Sequence, residues 1–175
     1  MEGGILAYQG AKTSGSPVSA MFCVPSHLPL ADLLGMALIV NKGTARFLDR
    51  LAAVSPGIDL ADILPVQDEA ERITELYVRT IGEIPADFPQ CVLGMPCDDL
   101  MAGCVRISDS LQWAQGKGIF EVLEFLLSIW MVTYDHYLRL AHHVSGGAAQ
   151  EVFAALALEA RRHGEAVAKS LDRAL

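Results

Sequence analysis

The chain has 175 residues and a net charge of -8, with 52% hydrophobic and 19% charged side chains. That length suits one domain, and the composition can bury a sizeable core, which excludes a disordered chain. The acidic balance argues against nucleic acid or anionic lipid as the main partner.

Residues 1–30 read as an irregular N-terminal arm. They hold Gly3, Gly4, Gly10 and Gly15 and lack a basic start followed by an apolar run, so no signal peptide is expected. A first helix follows. Its apolar positions Leu33, Ala37, Val40, Thr44, Phe47 and Leu51 step by fours and threes, which makes one continuous seam. Ser55-Pro56-Gly57 ends it. A second helix carries the seam Ile63, Val66, Ala70, Ile73 and Tyr77, with Pro65 marking a start or a kink. Residues 81–118 form a long linker containing Pro85, Pro89 and Pro96, with a short helix expected over about residues 98–115. The third helix has the seam Leu123, Leu127, Trp130, Tyr134, Tyr137 and Ala141, and ends at Ser145-Gly146-Gly147. Residues 122–132 are the most apolar stretch. It is too short to span a bilayer and reads as a buried helix. The fourth helix carries Phe153, Leu156, Ala160, His163 and Val167.

The two halves repeat one another. Residues 31–80 lie over 121–170 at a constant offset, with identities that include Leu33/Leu123, Ile39/Ile129, Ser55/Ser145, Gly57/Gly147, Glu69/Glu159 and Arg72/Arg162. Each repeat is a helical hairpin that cannot bury its apolar stripe alone. Packing the two together predicts an all-α, antiparallel four-helix bundle over residues 31–175, with repeat one at 31–80, a crossover linker at 81–118 and repeat two at 119–175.

This layout resembles the ferritin-like superfamily, specifically its rubrerythrin-related branch, over residues 31–171. The matching segments are residues 36–47, 68–76, 129–137 and 158–165. The resemblance implies a di-iron centre. In that family the first and third helices each supply a Glu seven residues before an aromatic, and the second and fourth each supply Glu-x-x-His. Here the ligand positions differ. Val40 precedes Phe47, Trp130 precedes Tyr137, and the Glu-x-x-His frames fall on Ala70 with Ile73 and on Ala160 with His163. Of the six, only His163 can bind metal. Iron in such a site needs anionic oxygens, which Val, Ala, Ile and Trp do not offer.

Glu69 and Glu159 sit one residue before the family position. That turns them roughly 100° away from the seam. His163, Glu159 and Glu69 are therefore the candidate ligands of a remodelled metal site, and Glu159 and His163 can instead pair with each other. His163 also reads as a core histidine bonded to Tyr77 or Tyr134. His142 and His143 suit the C-terminal end of a helix dipole, and His136 reads as a surface partner of Asp135. The chain has no C-x-x-C pair, which argues against a zinc ribbon or a thioredoxin-type redox pair. Cys91, Cys97 and Cys104 with His27 fit no common zinc spacing, and free thiols are expected.

The expected function is that of a rubrerythrin-like protein that has lost its di-iron site. It would act as a non-catalytic scaffold or interaction protein, a cytoplasmic homodimer without cofactor, nucleic acid or membrane partner. The alternative is a metal-binding oxidoreductase of peroxidase or ferroxidase type, holding iron or another divalent metal around His163. A module binding a small apolar ligand between its helices ranks third.

Overall fold

The computed structural model describes residues 28–55, 57–61, 63, 72, 75, 91–92, 95–144 and 147–174. The described residues are helical apart from turns and a small hairpin. Helix α1 spans Leu30–Val54. All six positions of its seam are buried. The Ser55 N–H donates to the Leu51 carbonyl at 2.8 Å and closes the helix. Gly57 then takes φ +108°, a backbone state that disfavours a side chain. Ile63 is fully buried, and Arg72 and Glu75 are helical. An ion pair of 3.1 Å joins Lys42 of α1 to Glu75. The rest of the second seam, the N-terminal arm to residue 27 and Glu69 lie outside the described residues.

The linker folds back on itself. Strands β1 (Cys91–Val92) and β2 (Met95–Pro96) pair antiparallel. Two 3-10 turns follow, Cys97–Asp99 and Ala102–Cys104, and then helix α2, Ile107–Ala114. The short helix expected over 98–115 is thus two tight turns and two turns of α-helix. Asp99 explains the break. Its carboxylate accepts the Ser108 N–H at 2.8 Å, the Ser108 hydroxyl at 2.7 Å and Arg106 Nε at 3.1 Å. It therefore caps α2 from outside, satisfying an N–H left free at a helix start. Burial raises the Asp99 pKa, but the bonds from Ser108 and Arg106 outweigh it and hold the carboxyl below its usual value.

Helix α3 spans Ile119–His143 and α4 spans Gly147–Ala174. The Glu121 carboxylate accepts the Gly118 N–H at 3.0 Å and starts α3. His142 and His143 lie in its last turn, as the dipole argument expects. Helices α1 and α3 are both 25 residues long. Helices α3 and α4 pack closely along their lengths. The α4 seam Phe153, Leu156, Ala160, His163 and Val167 is wholly buried. On α3 the buried face is broader than the expected seam. Leu126, Ile129, Thr133 and Leu140 are buried, whereas Leu127 and Tyr134 are only partly so. The cause is that α3 also packs against the Ala102–Cys104 turn.

That turn bridges α1 and α3, and every residue from Leu100 to Val105 is buried. Its buried N–H groups need acceptors. Two threonines supply them. The Ala102 N–H donates to Thr44 Oγ1 at 2.9 Å and the Gly103 N–H to Thr133 Oγ1 at 2.8 Å. Each hydroxyl in turn donates to its own helix, Thr44 to the Val40 carbonyl and Thr133 to the Ile129 carbonyl. Gly43 permits the approach, because a Cβ there would collide with the Leu100 carbonyl. Gly103 takes φ +70° and Cys104 φ +58°. No described helix is long and apolar enough to cross a membrane.

Candidate functional site

The family's ligand positions can be located on α1, α3 and α4. Val40, Trp130 and Ala160 are all buried, whereas Ala70 and Ile73 lie outside the described residues. Trp130 of α3 lies flat on His163 of α4, with ring centroids 3.9 Å apart and planes 15° from parallel. Both rings are 1% exposed. The third-helix carboxylate position and the fourth-helix histidine position are therefore neighbours here, but the first is a large apolar ring.

His163 Nδ1 stands 2.8 Å from the main-chain carbonyl of Glu159. A carbonyl only accepts, so Nδ1 carries the proton and Nε2 presents a lone pair. Among the described residues Nε2 has no hydrogen-bond partner, and neither has Trp130 Nε1. Burial pushes the imidazole down to about 4 against the opposing pull of the Glu159 bond, so the ring is neutral at pH 7. Among the described residues the ring's neighbour is a stacked tryptophan, not a tyrosine. Tyr134 does not bond the ring, and Tyr77 lies outside the described residues.

Glu159 is 4% exposed, yet its carboxylate turns away from the His163 ring and pairs with Arg162. His163 and Glu159 meet through the main chain, not as two side chains converging on one point. Among the described residues no three of His, Cys, Asp and Glu come together. Among the described residues, Val40, Trp130, Ala160 and His163 supply one metal-binding group and no carboxylate at these positions, a set that does not fit a di-iron centre. Two adjacent irons need bridging carboxylates, and Trp130 fills the space between α3 and α4 where one would project.

Two other expectations are corrected. His136 does not sit outside with Asp135. Asp135 pairs with Arg139 at 2.6 Å, while the partly buried His136 turns toward α1. Cys104 is disulfide-bonded rather than a free thiol. That bond removes its thiolate from the zinc set considered with Cys91, Cys97 and His27, whose side chains lie outside the described residues.

Comparison with protein-family models, with curated proteins and with solved structures finds no match to this chain.

Proposed function

We propose that this chain is a non-catalytic helical bundle of rubrerythrin-like ancestry, in which the di-iron positions have been given over to packing. The observation that carries this reading is the Trp130–His163 stack at 3.9 Å. An indole in place of a carboxylate removes both a ligand and the room for metal. Buried apolar volume also spares the fold the penalty of unpaired carboxylates. The protein would then work by association, as a cytoplasmic homodimer or with another protein. Exposed Ile119, Phe120, Met131 and Leu158 are side chains that such a contact could bury.

Element analysis of protein purified without chelators tests this. The expected result is no stoichiometric iron and no peroxidase or ferroxidase activity. Two tightly held irons per chain would overturn the reading. The neutral His163 ring with its unpartnered Nε2 favours a second reading, a single metal bound at a remodelled site. Bound metal that is lost in His163→Ala is the outcome that would favour it.

A further inference from the structure

Gly164 lies inside helix α4 and is buried. Glycine weakens a helix relative to alanine, so its place there needs a reason. The reason is on α3. A Cβ at Gly164 would collide with the terminal methyl of Met131. The Met131 sulfur stands 3.9 Å from the same point, and Leu127 closes it at 3.8 Å. The glycine therefore leaves a notch that receives the end of the methionine. Met131 follows Trp130 and Gly164 follows His163, so the notch adjoins the stacked rings along both helices.

The same side chain meets solvent. Met131 is 40% exposed, whereas Met36 is 2% and Met101 0% exposed. Among the methionines whose side chains are described, Met131 alone is exposed. A thioether is soft and fills irregular gaps well, and it is oxidised where a peroxide can reach it. Met131 combines the two properties: one part of it packs on a neighbouring helix and another faces water.

We propose that Met131 is a peroxide-oxidation site, a thioether whose conversion to the sulfoxide loosens the α3–α4 hairpin beside Trp130 and His163. The sulfur attacks one oxygen of hydrogen peroxide. An S–O bond forms as the O–O bond breaks, and the proton on the transferred oxygen passes to the departing hydroxide, which leaves as water. The sulfur is oxidised by two electrons and the peroxide is reduced. The product is polar, and neither Leu127 nor Gly164 has a side-chain donor for the new oxygen. The oxidised end therefore leaves the notch for water, and the packing on α4 is lost. The inference is independent of whether the bundle ever bound metal.

The test is graded hydrogen peroxide treatment of the folded full chain, read by peptide mass spectrometry and then by chemical denaturation. Met131 should gain one oxygen about tenfold faster than Met36 and Met101. Treatment should raise the wild-type unfolding constant about fivefold more than that of Met131→Leu, which shares every other methionine. In Gly164→Ala the added methyl fills the notch. Met131 should still oxidise there, but the excess should vanish. Oxidation of Met131 no faster than that of Met36 would overturn the proposal. So would an equal response of wild type and Met131→Leu, or an undiminished excess in Gly164→Ala.

Discussion

The α3–α4 hairpin and the seam between α1 and α3 solve one packing problem in opposite ways. In the hairpin, two long helices meet directly. Trp130, Phe153 and Leu156 fill the interface, and the ladders satisfy the main chain internally. In the seam, non-helical chain comes between the helices. Leu100 to Val105 is buried without a helical ladder, so its polar groups rely on Thr44, Thr133 and their own turns. The comparison teaches that burying irregular backbone transfers the burden from apolar volume to hydrogen-bond geometry and close approach. Interdigitated helices leave little space, whereas a bridging turn holds its neighbours apart.

Substitutions can break this contrast. The largest effect is expected for Gly43→Ala. The added methyl meets the Leu100 carbonyl, which is backbone and cannot step aside. Chemical denaturation should show a loss of about 3 kcal/mol or more. Unchanged stability would mean that the linker does not press on α1 as described.

An effect of up to about 3 kcal/mol should follow from pH. His163 has a folded pKa of about 4, below the ordinary value of about 6.5. Between those values the unfolded chain takes up a proton that the folded chain refuses. Stability from this group is complete above about pH 6.5 and is lost as the pH falls toward 4. Denaturation midpoints of wild type and His163→Phe should therefore converge or cross on going from pH 7 to 4.5. Parallel profiles would show that the ring is not held neutral.

The smallest effect is expected for Gly164→Ala in the hairpin. There the new methyl meets only the flexible tip of Met131, which is 40% exposed and can rotate away. The gain in helix propensity, near 1 kcal/mol, roughly offsets that displacement. A change within about 0.5 kcal/mol is expected. A loss as large as that of Gly43→Ala would erase the distinction between the two regions.

The helical seams were legible because burial follows the period of the helix. Every predicted seam position on α1 and α4 is buried. The α3 seam was read too narrowly, since Thr133 is buried against the Gly103 turn, which no helical period reveals. The path of the linker was not legible. Its hairpin and the Asp99 cap depend on contacts between residues whose spacing has no period. A signal was present in Gly43-Thr44. A glycine at the centre of a long helix costs about 1 kcal/mol and needs a reason, and the reason is the chain passing over it. At the candidate site, Trp130 and His163 were singled out by the sequence, but their stacking was not. His136 was set on the wrong face, because its neighbour Asp135 suggested a surface pair when the face is shared with Tyr137 and Leu140.

Thr44 and Thr133 grip adjacent peptide groups from opposite sides. A sliding motion of α1 along α3 would have to release both at once, leaving two amides stranded out of reach of solvent. The connection thus works as a latch that fixes axial registry, and the spacing of the two long rods is set by the width of one peptide strand.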